Sequence, residues 1–599
     1  MSALTRLCFG TGTQLLISSV YSFFRNLSPL SPVADSYYAD QQNHKKLILE
    51  EPLLCCTLLM IASRHHVPSK GSGGKARADS VHNRMWRHIE HLIQKITFGS
   101  EKYSLAKTRT LGSIQAMLLI IEWHPRALHF PPEYDGWDAS LAPSIDDTYQ
   151  PQNINSEASK RWREDVFEPA KRSERMSWML VGIATTLAHE LGVFNHEDAE
   201  GHDHASMRNN QAILRIRRLL FLYASQLSLQ LGCSSVFPQG SHQNLVHPPV
   251  FGELAEEQVT SDRETLITKW IEITKLSATA TEMLFANRAV TRQMLKTSRY
   301  ISLLNHFEPL LCRWHTDYAE MSCPTILEDA RQILLIEYHF VRMYINSIAV
   351  QALVERASSC ASARGWLDQD FLRPEFSQDF RFVKEVRDAS LEILRIATRL
   401  SDRAVLQYCP VRVFLRVVAA SIYLLKTISL GSREADVTRS LTQLQCCIRA
   451  LQNNQADDIH LAGRYATLIA KHVRQFKRNF RVQKPTTMHS AAVSRAVSHD
   501  PETSNSVGKP STRAHDMQAN PPQQTHRHIN TMPWNQAMDN SATATTDITI
   551  PYDFDENGML ENWLAQPFNS QFAPFGTEGV QAASGLAIDS LDFLWNMAT

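Results

Sequence analysis

A chain of 599 residues, 43% hydrophobic and 20% charged, has ample apolar content for a large core, which excludes a wholly disordered polypeptide. Its 61 basic and 61 acidic residues cancel, a balance that does not by itself mark a nucleic-acid surface. The longest apolar runs, 116–121 and 417–425, fall far short of the about 18 residues that cross a bilayer.

Residues 1–19 read as an irregular N-terminal segment and a candidate truncated start. The stretch 15–24 is short, interrupted by polar residues and followed by no good small-residue cleavage site, so a signal peptide is rejected. From residue 20 to about Arg481 helical periodicity dominates, and the 22 glycines are well below the average of roughly 7%. Helices are predicted at about 40–64, 82–97, 105–123, 257–287, 325–356, 381–401, 411–430, 436–453 and 460–480. Another carries Leu180, Ala184, Leu187 and Leu191 at helical spacing and stops at Gly192; the next carries Ile216, Leu219, Leu220, Tyr223, Leu227 and Leu231 and stops at Gly232. Arg215, Arg217 and Arg218 sit near the start of the second. No period-2 alternation is sustained, so the fold class is all-α.

Loops are marked by composition at 67–77, 124–152, 196–204 and 234–249. Lys70 to Arg77 reads K-G-S-G-G-K-A-R. The spacing is wrong for a phosphate loop, Ala76 stands where a hydroxyl is needed, and a helix precedes it, so a surface loop is expected. His196, Glu197, Asp198, Glu200, His202, Asp203 and His204 cluster in a polar stretch. His202 and His204 could share a metal, but no zinc-like cysteine accompanies them and a solvated loop is the reading. His189 and Glu190 do not open a zinc helix, because Val193 occupies the second histidine position. The ten cysteines, Cys8, Cys55, Cys56, Cys233, Cys312, Cys323, Cys360, Cys409, Cys446 and Cys447, include no C-x-x-C pair and read mostly as buried reduced thiols. No nucleophile signature surrounds them, and the chain is not read as an enzyme.

Lys471, Arg474, Lys477, Arg478, Arg481 and Lys484 close the helical body. They suit a helix C-terminus as a solvated face; Lys477, Arg478 and Arg481 are the candidate nuclear-import patch. Residues 484–530, rich in Ser, Thr, Pro, Gln and His, read as a disordered linker. Beyond Arg527 there is no base. Nine acids are interleaved there with Trp534, Tyr552, Phe554, Trp563, Phe568, Phe572, Phe575, Phe593 and Trp595, which leaves the remaining residues with 61 bases against 52 acids. Repulsion and hydration keep such a segment open and its aromatics available to a partner. Residues 531–599 therefore read as an acidic-aromatic activation tail. If 587–597 becomes helical, Ile588, Leu591, Leu594 and Trp595 share one face. Asp589 and Asp592 flank it, and with Phe593 these residues form the candidate anchor for a coactivator groove. The bland alternative is a C-terminal helix docked on the body.

Five stretches carry a family resemblance. Residues 20–38 contain F-F-R-N-L-S-P-L-S-P-V-A-D; 51–63 read E-P-L-L-C-C-T-L-L-M-I-A-S; 108–132 end in E-W-H-P-R-A-L-H-F-P-P; 177–193 read S-W-M-L-V-G-I-A-T-T-L-A-H-E-L-G-V; and 215–232 include R-I-R-R-L-L-F-L-Y. In this order they resemble the regulatory region of fungal zinc-cluster transcription factors. In the last stretch Phe221 and Tyr223 replace the family's tryptophans at packing positions. The resemblance spans about 20–481 and implies an all-helical regulatory domain over 20–483, a nuclear location and control of metabolic genes, often with a small-molecule inducer. The family's six-cysteine cluster, which binds two zinc ions, has no counterpart: only Cys8 precedes Cys55, so no metal ligand and no DNA contact is carried over. Zinc is expected only if such a cluster lies upstream, and otherwise no cofactor is expected. DNA would be reached through that missing cluster or a partner factor, transcription coactivators are the expected partners, and no membrane is involved. The expected function is transcriptional activation through the tail under control of the body. Two alternatives stay open: a cofactor of a full-length zinc-cluster relative without DNA contact, and an uncharacterised helical enzyme using the 196–204 region.

Overall fold

The structure, a computed structural model, describes residues 11–479 apart from 35, 66–73, 102–107, 131–167, 195–203, 239–244, 246–254, 287, 322–327, 365–376, 430–433 and 458. Among the described residues there is no strand. The α-helices are α1 (Thr11–Asn26), α2 (His44–Glu50), α3 (Pro52–His65), α4 (Gly74–Phe98), α5 (Leu111–Glu122), α6 (Glu168–Glu190), α7 (His204–Leu231), α8 (Ala255–Leu284), α9 (Arg288–Lys296), α10 (Tyr300–Glu320), α11 (Glu328–Arg364), α12 (Ser377–Asp402), α13 (Val411–Ser429), α14 (Glu434–Asn453) and α15 (Leu461–Asn479). The all-α reading holds. The 196–204 stretch, the 484–530 stretch and the 531–599 segment with Ile588, Asp589, Leu591, Asp592, Phe593, Leu594 and Trp595 lie outside the described residues, save the helical backbone at His204.

Several boundaries differ from expectation. Helix α1 begins at Thr11, inside the segment read as irregular, because Leu16, Val20, Phe23 and Leu27 recur at helical spacing and are buried in the core. The predicted helix at 40–64 is two, broken where Pro52 can neither donate to the ladder nor tolerate the preceding turn. Helix α4 begins at Gly74, so Lys75, Ala76 and Arg77 form its first turn instead of a loop; Ala76, Arg77 and Ala78 are good helix formers. Helices α9 and α10 lie outside the predicted stretches. In α10, Tyr300, Leu304, Phe307, Leu311, Trp314 and Tyr318 form one buried stripe, while Pro309 interrupts the pattern from the exposed face.

Both glycine stops are seen. Gly192 (φ 71°) and Gly232 (φ 65°) adopt the left-handed conformation that only glycine takes without cost. After each, the next N–H returns to a carbonyl in the last turn: Val193 to Ala188 at 2.9 Å and Cys233 to Ser228 at 3.1 Å.

Two apolar cores result. One gathers residues of α1 to α10; the other is built mainly by α12 to α15. Helix α11 belongs to both. It gives Leu334, Tyr338, Val341 and Tyr344 to the first and Ile333, Ile336, Met343 and Val350 to the second. Its segment Glu328–Leu353 is apolar enough to cross a membrane, but 83% of that window is buried inside the protein, which is the mark of a core helix. The most extensive helix contact is α11 against α12, and α8 and α10 cover its other side.

The arginines of the R-I-R-R stretch serve packing. Arg218 is fully buried and pairs with Glu264 at 2.5 Å; Arg215 donates to the Pro32 carbonyl at 2.5 Å; Arg217 donates to the Val193 carbonyl at 2.7 Å. Phe221 and Tyr223 are buried. Of the described cysteines, Cys55, Cys56, Cys409 and Cys447 are buried, whereas Cys233 and Cys312 are exposed.

Candidate functional site

The seam between the two cores is polar and charged. Glu122 ends the apolar run of α5, Glu337 interrupts that of α11, and Arg412 and Arg416 interrupt that of α13. Arg412 donates to Glu122, as does the Tyr223 hydroxyl. Arg416 donates to Glu337 at 3.1 Å, and the Arg412 Nε lies 3.8 Å from the same carboxylate. The Arg412 guanidinium sits 4.6 Å from the Trp270 ring and that of Arg416 3.8 Å from Phe340. A desolvated cation over an aromatic face gains about 2 kcal/mol. Burial opposes the Arg412 charge, yet Glu122, Tyr223 and Glu337 raise its pKa further; burial and then Glu122 push the Tyr223 phenol well up. Glu122 Oε2 and Glu337 Oε1 are buried and make no hydrogen bond among the described residues, although Arg412 stands near the latter.

Two adjoining clefts open on this seam. One has an empty volume, mouth included, of about 690 Å³ and is walled by Trp270, Phe340 and Tyr344, with Thr274, Ser277, Glu337 and Arg416 as polar groups. The other, about 560 Å³, is lined by Glu122, Tyr223, Arg412, Ser173 and Glu174; the two share Gln226, Gln230, Leu415 and Arg416. Most of that space is open mouth, and the enclosed volume of each is about 50 Å³, walled by apolar side chains with a few placed polar groups. The Glu174 carboxyl is pushed up to about 8 by burial, against the effect of Gln230, whose amide donates to it at 3.1 Å. It is largely protonated near neutral pH and can donate a hydrogen bond. The seam offers an aromatic wall, the Glu122 and Glu337 carboxylates with one oxygen each not hydrogen-bonded among the described residues, and a neutral acid, groups able to accept from or donate to a small polar molecule. None of Glu122, Glu174, Glu337, Arg412 and Arg416 was among the residues singled out from sequence; the available signal is a charged residue on the apolar face of a helix.

The sequence candidates fall elsewhere. Lys477 is exposed at the end of α15, while the side chain of Arg478 and all of Arg481 lie outside the described residues. His189 is exposed, 4.5 Å from the Phe194 ring, and Glu190 pairs with Arg109. Among the described residues no three His, Cys, Asp or Glu side chains gather as a metal site.

Comparison with known proteins gives the family. The transcription factor hmgR of Aspergillus fumigatus is 37% identical over 595 residues, a match covering 96% of this chain and 74% of the relative. The chain belongs to this family of fungal transcription factors. No protein-family model matches the chain. No solved structure matches it. The relationship runs the length of the chain, so it includes both cores, the seam and part of the 531–599 segment.

Proposed function

We propose that the chain is a nuclear transcriptional regulator, an activator of metabolic genes. In this reading the helical body over 20–483 is a regulatory domain of the zinc-cluster type, joined by the 484–530 linker to the 531–599 tail. The tail recruits coactivators through Ile588, Leu591, Leu594 and Trp595, flanked by Asp589 and Asp592. The seam clefts take a small-molecule inducer with an apolar body and hydrogen-bond donors. A ligand there touches α8, α11 and α13 at once, and so can bias how the two cores pack. DNA is reached through a zinc cluster or through a partner factor.

The observation that supports this most is the 37% identity to a transcription factor over 96% of the chain, which reaches into the acidic-aromatic segment and is not confined to the body. The test is loss of the gene followed by transcript profiling and imaging of the tagged protein. A discrete set of transcripts should change and the tagged protein should accumulate in nuclei. An unaltered transcript profile, or a protein excluded from nuclei under all growth conditions, would contradict the reading.

A further inference from the structure

Helix α4 shows a charged face that the proposed function leaves unused. Arg77, Arg84, Arg87, His88, His91 and Lys95 fall within an arc of about 100° on a 3.6-residue helix. Ala78, His82, Met85, Ile89 and Ile96 occupy the opposite face and are buried. The two acids of the helix lie off the cationic arc, and Asp79 faces Arg126 at 3.4 Å. Among the described residues none of Arg77, Arg84, Arg87 and Lys95 forms an ion pair, and the three arginines are exposed. His88 reports the local field: partial burial, then Arg84 and His91, lower its pKa. Phe98, 78% exposed, stands at the end of the same arc. A row of cations outside any close ion pair among the described residues, in which Arg87 feels the nearby carboxylate of Glu90, ends in an exposed aromatic and fits a partner that is both acidic and aromatic.

The chain contains such a partner. Residues 552–564 hold Asp553, Asp555, Glu556 and Glu561 with Tyr552, Phe554 and Trp563, and no base. From Arg77 to Lys95 the helix rises about 27 Å at 1.5 Å per residue, and Asp553 to Glu561 spans about the same when extended at 3.3 Å per residue. The residues between Asn479 and 552 can bridge well over 100 Å. Being in the same chain, the segment meets the face at an effective concentration set by the linker and independent of the amount of protein. We propose that the cationic face of α4 binds residues 552–564 of its own chain. This rests on the reading of 531–599 as the activating tail: the contact withholds the tail's acids and aromatics from coactivators. A phosphate backbone would use the arginines but has no need of Phe98.

The test uses the full chain and a carbodiimide, which joins Lys ε-amines directly to Asp and Glu carboxylates in contact. Lys95 should cross-link to Asp553, Asp555, Glu556 or Glu561 with a yield independent of protein concentration. The yield should be lost in 0.5 M salt, where screening shortens the reach of exposed charges. It should be lost also in Arg77→Gln/Arg84→Gln/Arg87→Gln, which keeps Lys95 as the reporter. If that variant does not fold, Phe98→Ser, a change at an exposed position, should give the same loss. Lys95 cross-links absent from the wild type would overturn the proposal. So would a yield that rises with concentration, which would assign the contact to a second copy. An unchanged cross-link in the triple variant, with loss of retention on a short DNA duplex, would assign the face to phosphate. A silent reporter from the isolated tail would defeat the activation reading and leave the cross-link result standing, so the two failures are distinguishable.

Discussion

Arg412, at the start of α13, holds the carboxylate of Glu122 at the end of α5, 290 residues earlier in the chain. The contact ties one core to the other in the seam where both clefts open. It also carries the Tyr223 hydroxyl, so one carboxylate oxygen gathers three helices.

Removing the cation should be costly. Arg412→Ala leaves Glu122 and Glu337 buried with one partner fewer, a situation that costs about 3–5 kcal/mol. Equilibrium urea unfolding of the variant should show a loss of that size. A loss below about 1 kcal/mol would mean that the seam is solvated and its ion pairs behave as surface pairs.

Acid should destabilise the body well before its carboxylates titrate. Burial, followed by nearby arginines or other cationic groups, holds His82, His124, His129 and His339 down to about 3 and His460 and His472 down to about 4. In the unfolded chain these groups bind protons near pH 6.5. The unfolded state therefore takes up protons first, so stability is full above about pH 6.5 and falls as the pH drops toward 4. His82 shows why: its Nε2 accepts from the Arg126 N–H at 3.1 Å while Nδ1 faces the Met60 carbonyl at 2.9 Å, a pair that only the neutral ring satisfies. Asp457 adds to the fall at lower pH. Burial alone would raise its pKa, but the two-point pairing with Arg64 at 2.8 and 3.0 Å, together with Arg126, holds it well below the usual range. That contribution is present above about pH 4 and lost beneath it. Urea midpoints should decline from pH 7 to pH 5; equal midpoints would contradict the buried neutral histidines.

Glu174 has the opposite sign. Its folded pKa of about 8 lies above the unfolded value, so its contribution is full below about pH 4.5 and is lost as the pH rises through 8. Glu174→Gln keeps an acceptor for Gln230 and removes the titration. The variant should match the wild type at pH 5 and exceed it in thermal stability at pH 9. A gap that narrows with rising pH would rule out a buried, protonated acid at this position.

Two glycines in one helical region should respond in opposite directions. Gly192→Ala puts a side chain at φ 71° and should cost about 1 kcal/mol, although a Cβ there would meet no atom within 4 Å. Gly182, inside α6, also has open space around it, and Gly182→Ala should gain about 0.5–1 kcal/mol. Thermal unfolding of the pair checks both signs.

Much of the fold was legible in the chain. The helices around Leu180 to Leu191 and Ile216 to Leu231 show their buried faces in residue spacing, and their glycine stops are local signals. Helix α10 carries an equally regular stripe from Tyr300 to Tyr318, but Pro309 breaks the local propensity; the helix tolerates it because the proline faces outward. The seam was not legible. A carboxylate at Glu122 and a guanidinium at Arg412 each look like a misplaced charge in an apolar run, and only the tertiary fold brings them together. Short-range patterns reveal which face of a helix is buried, not which buried charge it will meet.

The most direct measurement of the central claim joins residues 531–599 to an unrelated DNA-binding domain and reads a reporter gene. The account predicts strong output from the native segment and its loss in Leu594→Ala/Trp595→Ala, with both fusions present at equal levels. Output undiminished by the double change would remove the anchor, and no output from the native segment would contradict the account of this protein as an activator acting through its tail.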